Sequence, residues 1–466
     1  MTISPACEAY LHEHDAEQKA RLHNFLRIPS ISSLPNHVAD VRRAAEWVAE
    51  RLRALGAQGV ALLPTTGNPI VWGEWPAPAG APTAILYGHY DVQPPDPLDL
   101  WTTPPFEPTE RDGRLYARGA ADDKGNMYAP LAAIEALLAT GGVLPIGIKC
   151  LFEGEEEIGS PSLPVFVRAN RERLRADFAL CADGGQWGPD QPSLTVSSKG
   201  IAACQVDLLT ANSDLHSGGH GAAVPNVVEA LARLVTTLHD EQGRVAVPGF
   251  YDAVRDLSAV ERADIEAIPF DEETYRRDLG LKALWGDPEY TALERRWGRP
   301  TLDLNGIWGG FQGEGVKTVT PNEAHAKITC RLVPHQEPGA ILDAIEAHLD
   351  AHCPPGATVS LCRFDGAARP FAIVPDHPAL GAAREVLREL YGKEPLITRT
   401  GGTLPLAETL QAELGVDMIF FSWGMPGDNV HAPNESLLLA AFDMARRAYC
   451  AVLPALATAY AVGRGR

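Results

Sequence analysis

The sequence predicts an α/β protein, because strand-like and helix-like patterns alternate along most of the chain. Three short apolar runs are typical of buried strands: 83–86, 146–152 and 178–181. Between them lie helical patterns, one of which carries its apolar face on Met127, Leu131, Ile134 and Leu138. Strands joined by helices in this way form a largely parallel sheet, with the loops that follow the strands on one edge.

A different order of elements interrupts this alternation. From about residue 199 the chain reads strand–helix–strand–strand–helix–strand, once the charged stretch 251–297 is set aside. The βαββαβ order is typical of a small ferredoxin-like α+β sandwich. The α/β pattern then returns. We therefore expect an α/β domain formed by residues 1–198 and 371–466, interrupted by an inserted α+β domain formed by residues 199–370.

The composition argues against some classes of partner. A formal net charge of −20 disfavours nucleic acid and anionic membranes. Hydrophobic residues make up 45% of the chain and charged residues 21%, as in a globular protein. The eight cysteines include no Cys-x-x-Cys pair, and we find neither a cationic apolar leader nor an apolar run long enough to span a bilayer. These features favour a cytoplasmic protein with reduced thiols and no membrane partner.

His89 marks the first candidate site. It follows the apolar run 83–86 and the strand-breaking Gly88, so it lies just beyond the carboxyl end of a buried strand, where open α/β sheets bind ligands. Asp91 is close enough in the chain to accept a hydrogen bond from the imidazole, which would fix the tautomer of a metal-binding histidine. A lone His-x-Asp more often belongs to a capped turn. The assignment therefore depends on the acidic residues that follow other strands.

Carboxylates and a second histidine stand at similar junctions. Asp122 and Asp123 immediately precede a helix, where a single Asp would serve as an N-cap. The acidic run 153–157 ends the second apolar strand, which favours a functional role over a solvated surface. The remaining candidates are Asp183, after the third strand, and His431, in a late loop rich in glycine and proline.

The chemistry of these donors predicts a catalytic metal centre. Imidazole and carboxylate ligands without thiolates suit zinc, manganese or cobalt(II), and not a structural zinc site. Two histidines and three carboxylates are enough for two ions if one carboxylate bridges them. Two ions about 3.5–4 Å apart can acidify a shared water and polarise a carbonyl, and a neighbouring carboxylate can act as general base. Glu156 and Glu157 would supply one ligand and one base, in an order that the residues alone leave open.

Several segments match a known pattern in combination: Tyr87-Gly-His89-Tyr-Asp91-Val-Gln-Pro94, Gly119-Ala-Ala-Asp122-Asp-Lys-Gly125, Glu153-Gly-Glu-Glu156-Glu157-Ile-Gly-Ser160, Asp183 and His431. Together they resemble the M20 metallopeptidases, over nearly the whole chain. The most similar branch is that of the dipeptidases, which includes carnosinase-like and cytosolic nonspecific dipeptidase-like enzymes. The resemblance implies a metallopeptidase-type catalytic domain with a mixed, largely parallel sheet, and an inserted dimerisation or lid domain.

The resemblance also implies a role for each candidate. The metal ligands would be His89, Asp122, Glu157, Asp183 and His431. Asp122 would bridge two divalent ions, preferably Zn²⁺, with Mn²⁺ or Co²⁺ as alternatives. His89 and Asp183 would complete one ion, and Glu157 and His431 the other. Glu156 would be the general base, Asp91 would orient His89, and the peptide bond after Asp122 would be cis.

In the inserted domain, Asp214-Leu-His216-Ser-Gly218 is similar to a family motif whose histidine reaches the active site of the partner subunit. This similarity implies a homodimer. The usual Gly-Gly and Asn-Pro of the motif are replaced here by Gly221-Ala222 and Asn226-Val227. Positions that match substrate contacts of the family's dipeptidases are Thr318, Arg331, Gly402 and Thr403. Without the resemblance, Arg331 on an alternating strand would be interpreted as a surface or salt-bridged residue.

The expected function is hydrolysis of dipeptides by a dinuclear metal centre, through a metal-bridging hydroxide and a glutamate general base. The substrate would be a small peptide, whose side-chain preference the sequence leaves open. A deacylase of N-acyl amino acids is an alternative within the family. Asp183 favours the peptidase, because the family's deacylases usually carry Glu there. A catalytically inactive metal-binding protein is a remote alternative, since the base Glu156 is present.

Overall fold

The computed structural model describes residues 2–463, which divide into two compact units. The first unit consists of the described residues up to Val196, of Ile373–Ile397, and of the residues from Thr409 onward. The second unit consists of Ser197–Ala372 and Thr398–Glu408. Within residues 2–463, no helix combines the length and the apolar character needed to cross a bilayer.

The segment 398–408 corrects the predicted division of the chain. The sequence assigned it to the α/β domain, whereas it clusters with the second unit. Its hydrogen bonds give the reason. The N–H of Lys199 donates to the backbone oxygen of Gly402 at 3.0 Å, and Arg331 Nη1 donates to Thr403 Oγ1 at 2.8 Å. Contacts between residues so far apart in the chain leave no local pattern.

The helices and strands have the following bounds. The helices are α1 (Pro5–Glu13), α2 (Asp15–Leu26), α3 (Val38–Ala54), α4 (Lys124–Gly141), α5 (Leu163–Ala169), α6 (Ser217–His220), α7 (Val227–Thr236), α8 (Ala259–Glu266), α9 (Glu272–Asp278), α10 (Ala292–Gly298), α11 (Pro338–His352), α12 (Pro378–Tyr391), α13 (Pro405–Leu414) and α14 (Leu439–Gly463). The strands are β1 (Gln58–Leu63), β2 (Ile70–Trp75), β3 (Thr83–His89), β4 (Thr109–Arg111), β5 (Arg114–Tyr116), β6 (Gly147–Glu153), β7 (Phe178–Cys181), β8 (Ser193–Ser198), β9 (Gly200–Leu209), β10 (Leu215–His216), β11 (Thr301–Gly309), β12 (Val319–Thr320), β13 (Glu323–Leu332), β14 (Thr358–Arg363), β15 (Phe371–Ala372), β16 (Leu396–Thr400), β17 (Met418–Phe420) and β18 (Ser436–Leu438).

A mixed six-stranded sheet in the order β1-β2-β6-β3-β7-β17 forms the centre of the first unit. β6, β3, β7 and β17 pair in parallel, and β2 runs antiparallel to both of its neighbours. The predicted mixed, largely parallel sheet is thus confirmed. β3 is buried along almost its whole length, as expected for a parallel strand covered on both faces. In register His89 pairs with Glu153, so the loops after β3 and β6 emerge side by side.

α4 fixes the turn that contains Asp122. The helix begins directly after Asp123 and ends at Gly142, whose φ of 75° and N–H bond to Leu138 terminate it. Met127, Leu131 and Ile134, on the predicted apolar face, are buried, and so is most of the rest of the helix. Because α4 packs against β3, α1, α2 and α14, the residues that precede it have little freedom to move.

The second unit contains a four-stranded antiparallel sheet in the order β11-β13-β9-β14. Along the chain, β9, α7, β11, β13, α11 and β14 follow the predicted βαββαβ order. Buried and partly exposed residues alternate in β9, so one face of the sheet packs against α7 and α11 in an apolar core. The charged stretch 251–297 contains α8, α9 and most of α10.

Candidate metal centre

His89 lies at the carboxyl end of β3, and its side chain is fully buried. Its Nδ1 lies 3.1 Å from the backbone oxygen of Asp91 and 3.3 Å from the carboxylate Oδ1 of the same residue. The Asp91 carboxylate also accepts hydrogen bonds from the backbone N–H groups of Glu156, at 3.3 Å, and Glu157, at 3.2 Å. Asp91 therefore contacts Nδ1 of the imidazole, while Nε2 lies toward Asp122, and its carboxylate connects His89 to the loop of Glu156 and Glu157.

The turn before α4 places Asp122 beside His89. The Asp122–Asp123 peptide bond is cis, as the resemblance implies. The buried Asp123 accepts a hydrogen bond from the backbone N–H of His89 through Oδ2 at 3.0 Å. A Cβ on Gly88 would lie 2.6 Å from Cγ of Met127 and 2.8 Å from Oδ2 of Asp123. Glycine at the end of β3 is therefore what allows this close approach.

The predicted metal ligands form two groups that share Asp122. One group contains His89, Asp122 and Asp183, and the other contains Asp122, Glu157 and His431. Within each group, one donor atom from every residue lies within 4.8 Å of the others. Asp122 Oδ1 is 3.0 Å from Nε2 of His89, and Asp122 Oδ2 is 2.9 Å from Nε2 of His431. The two oxygens of the Asp122 carboxylate therefore lie next to the histidines of different ligand groups.

These donors fit two divalent cations. Each group offers one imidazole nitrogen and two carboxylates, and the shared carboxylate can bind one ion with each oxygen. Neither group contains a thiolate, so the donor set suits Zn²⁺, Mn²⁺ or Co²⁺ in a catalytic rather than a structural site. Each group contains three ligand residues, so an ion held there would keep coordination positions for water or substrate.

The pKa values reflect the crowding of carboxylates. Hydrogen bonds with Asp122 and Glu157 raise the pKa of His431 to about 10. Burial raises the pKa of Asp183 to about 6. For Asp122, burial opposes ionisation, but hydrogen bonds with His431 and His89 hold its pKa below the usual range. The carboxylate charge that favours an imidazolium here equally favours a bound cation.

The two adjacent glutamates differ in their surroundings. The side chain of Glu157 is 3% exposed, and its Oε2 lies 3.1 Å from His431 Nε2 and accepts a hydrogen bond from Gln93 Nε2 at 2.9 Å. The side chain of Glu156 is 38% exposed and lies 4.0 Å from His89 Nε2. In the part of the chain that the structure describes, Glu156 belongs to neither ligand group. Partial burial, together with the nearby charges of Asp183, Glu157 and Asp122, raises the pKa of Glu156 to about 8.

Two residues beside the ligands were not predicted from the sequence. Glu435 accepts a hydrogen bond from the backbone N–H of Asp122 at 3.1 Å, and Arg118 forms a buried ion pair with Glu435. Both stand close in the chain to motif residues, Arg118 before Gly119 and Glu435 four residues after His431. Their proximity to the motifs could have indicated a role in the site, but charged residues in loops are more often exposed to solvent.

The predicted substrate-binding residues lie in the second unit. Arg331 is on β13 and donates to Thr403. The backbone oxygen of Thr318 accepts a hydrogen bond from Ser217 at 3.1 Å. His216 is exposed, and its Nδ1 accepts hydrogen bonds from the N–H groups of Gly218, at 3.1 Å, and Gly219, at 3.2 Å.

Curated relatives extend over almost the whole chain. Cys-Gly metallodipeptidase dug1 of Schizosaccharomyces pombe is 30% identical over 453 residues, which cover 94% of this chain and 95% of the relative. Beta-Ala-His dipeptidase of Homo sapiens is 30% identical over 441 residues, which cover 92% of this chain and 87% of the relative. The alignments therefore include residues of both units.

A solved structure has a similar fold. The M20 family metallo-carboxypeptidase Sso-CP2 from Sulfolobus solfataricus superimposes with a TM-score of 0.78 and 32% sequence identity, over 95% of this chain and 99% of that one. The sequence profile of peptidase family M20/M25/M40 matches residues 85–455, which include every candidate metal ligand. Profile, relatives and structure agree with the family that the motifs indicated. The chain belongs to peptidase family M20/M25/M40.

Proposed function

We propose that this protein is a metal-dependent dipeptidase. The observation that carries the proposal is the pair of ligand groups joined by Asp122, with Glu156 beside them but in neither group among the described residues. The names of relatives support the choice of substrate class, because two enzymes that align over nearly the whole chain are dipeptidases. A carboxypeptidase is the second candidate, favoured by the similarity to Sso-CP2.

In this proposal each residue near the ligands has one task. His89, Asp122 and Asp183 would hold one divalent ion, and Asp122, Glu157 and His431 would hold the other. When bound, the ions would supply positive charge that acidifies water and polarises the scissile carbonyl. Asp91 keeps the tautomer of His89 that presents Nε2. Glu156 takes a proton from the attacking water and returns it to the departing amine.

Zinc is the proposed ion, with Mn²⁺ or Co²⁺ as alternatives. The two imidazoles favour a borderline metal over Mg²⁺ or Ca²⁺, which prefer oxygen ligands. The carboxylate majority of the donor set is compatible with Mn²⁺ as well. Metal analysis of protein purified without added ions would identify the ion, and recovery of Mg²⁺ alone would contradict this choice.

Arg331 is the proposed partner of the substrate's free α-carboxylate. A planar guanidinium binds a carboxylate through two parallel hydrogen bonds, which a lysine cannot reproduce. The contact of Arg331 Nη1 with Thr403 Oγ1 holds the guanidinium in place and supports the assignment. Thr318 and the Gly402-Thr403 segment would supply further donors. A substrate with an amide in place of this carboxylate would leave the cation without its partner and would bind poorly.

One substrate series tests the proposed function. The free dipeptide should be cleaved, whereas its C-terminal amide and the corresponding N-acetyl amino acid should be cleaved poorly. Arg331→Ala should lower kcat/KM for the free dipeptide about 10- to 100-fold, which is the usual value of hydrogen bonds between charged groups, and should remove the preference over the amide. Arg331→Lys should restore only part of the activity.

The same series separates the alternatives. Equal cleavage of dipeptide and amide by the wild type would contradict carboxylate recognition. Preference for the N-acetyl amino acid would favour a deacylase. Peptides extended at the amino end keep the carboxylate next to the scissile bond, so their rapid cleavage would favour a carboxypeptidase.

We also propose a homodimer in which His216 serves the active site of the partner subunit. The exposure of His216, in a motif outside the unit that carries the metal ligands, supports this role. Glu156→Gln and His216→Ala proteins, each inactive alone, should regain activity when mixed under conditions that allow subunits to exchange. A fully active monomer in light scattering would contradict the dimer.

A cytoplasmic location is the remaining proposal. All eight cysteines are unpaired, which suits a reducing compartment. Cell fractionation with an antibody against the protein should recover it with cytoplasmic markers. Recovery in a secreted or membrane fraction would contradict this location.

A further inference from the structure

A fully buried ion pair lies beside the metal ligands without being part of either group. Arg118 Nη1 donates to Oε2 of Glu435 at 2.6 Å, and the two side chains are 1% and 0% exposed. Three backbone N–H groups also donate to this carboxylate: Gly119 to Oε2 at 3.0 Å, and Ala121 and Asp122 to Oε1 at 3.0 and 3.1 Å. Each oxygen of Glu435 therefore accepts two hydrogen bonds, as an ionised carboxylate can.

The pair joins three segments that carry metal ligands. Glu435 belongs to the loop of His431, and its carboxylate accepts hydrogen bonds from the backbone N–H groups of Ala121 and Asp122. Arg118 also reaches the third loop, because its Nη2 donates to the backbone oxygen of Pro94 at 3.2 Å, five residues after His89. Arg118 and Glu435 are separated by 317 positions in the chain, so their contact brings together loops that are remote in sequence.

We propose that Glu435 and Arg118 are positioning residues that set the spacing of the His89, Asp122 and His431 loops for two cations. This inference rests on the proposed metal centre, since these loops carry its ligands. The backbone bonds make the proposal specific. A pair that only filled space would not need to bind the N–H of the shared ligand Asp122. Gly119, with a φ of 83°, has a left-handed conformation, and its N–H donates to the same carboxylate.

The chemistry of the pair indicates informative substitutions. Glu435→Gln keeps the shape of the side chain but replaces one oxygen by an NH₂ group, which cannot accept hydrogen bonds and leaves the cation of Arg118 buried and unpaired. Arg118→Lys keeps the charge, but a single ammonium cannot reproduce the fork that reaches both Glu435 and Pro94. The second change is milder and keeps the test open if Glu435→Gln fails to fold.

Glu135 on α4 offers a matched control. Its side chain is 13% exposed and accepts hydrogen bonds from Arg51 at 2.6 Å and from Arg21 at 3.0 Å. These partners lie in α3 and α2, and not in the loops of His89, Asp122 or His431. Glu135→Gln therefore disrupts partly buried ion pairs of the same unit without changing a residue of the segments that the proposal concerns.

The test measures the affinity for Co²⁺ by competition with a coloured chelator, the visible spectrum of bound Co²⁺, and the unfolding temperature of the metal-free protein. Glu435→Gln should bind Co²⁺ about 10- to 100-fold more weakly, the usual effect of losing a residue that supports metal ligands, and should alter the spectrum. Arg118→Lys should weaken binding less. Glu135→Gln should lower only the unfolding temperature.

The possible outcomes distinguish this inference from the proposed function. Wild-type Co²⁺ affinity and spectrum in Glu435→Gln, or in Arg118→Lys if the former does not fold, would overturn the positioning role alone. Equal weakening in Glu135→Gln would overturn it too, because the effect would then follow from stability. Failure of the wild-type protein to bind Co²⁺ would overturn both the metal centre and the inference that depends on it.

Discussion

Asp122→Ala protein is expected to lose both metal ions. The two oxygens of Asp122 face different imidazoles, at 3.0 Å from His89 and 2.9 Å from His431, so this one carboxylate belongs to both ligand groups. Its removal takes one ligand from each group and leaves each with only one histidine and one carboxylate. Metal content after reconstitution, measured by mass spectrometry of the metal, should fall from about two equivalents to nearly none.

Variants of the other ligands provide the comparison. Asp183 belongs only to the group of His89, and His431 only to the group of Glu157. Asp183→Ala and His431→Ala should therefore each lose about one equivalent and keep most of the other. Retention of one full equivalent by Asp122→Ala would mean that this residue serves a single ion, and the shared role would be wrong.

Glu156→Gln is expected to lower kcat by about 10²-fold or more while metal content hardly changes. Glutamine has nearly the same shape but accepts no proton, so it removes general-base catalysis and little else. The position of Glu156, 4.0 Å from His89 Nε2 but outside both ligand groups, supports this assignment among the described residues. An assay of dipeptide hydrolysis gives kcat, and metal analysis of the same preparation gives the metal content.

Glu157→Gln is the matched control, because it makes the same change at the next residue. Glu157 lies 3.1 Å from His431 Nε2 and accepts a hydrogen bond from Gln93, as a ligand held in place would. Its substitution should lower metal content as well as activity. If Glu157→Gln keeps its metal and loses turnover, while Glu156→Gln loses metal, the two roles are reversed.

The candidate site could be predicted where chemistry coincided with a local pattern. His89 and Asp183 follow short apolar runs, and buried parallel strands have such runs because both of their faces are covered. The edge of the sheet at which these strands end is the place for ligands in an α/β fold. The residues alone could not show whether Glu156 or Glu157 is the ligand. Both follow the same strand, and they differ only in which side chain points inward.

The parts that escaped prediction depend on contacts across the chain. Glu435 lies in a loop and was not among the predicted site residues, yet its carboxylate is fully buried against Arg118 and the backbone of Asp122. The segment 398–408 looked like part of the α/β domain, yet it is bonded to Lys199 and Arg331 in the second unit. Neither periodicity nor motif spacing can predict a hydrogen bond between residues this far apart in the chain, so it is visible only in the folded structure.

The most direct test of the shared metal centre is to locate Co²⁺ by anomalous scattering in crystals of the reconstituted protein. Two peaks are expected, one beside His89 and Asp183 and one beside Glu157 and His431, with a carboxylate oxygen of Asp122 bound to each. A single peak, or two peaks of which only one contacts Asp122, would contradict a shared metal centre.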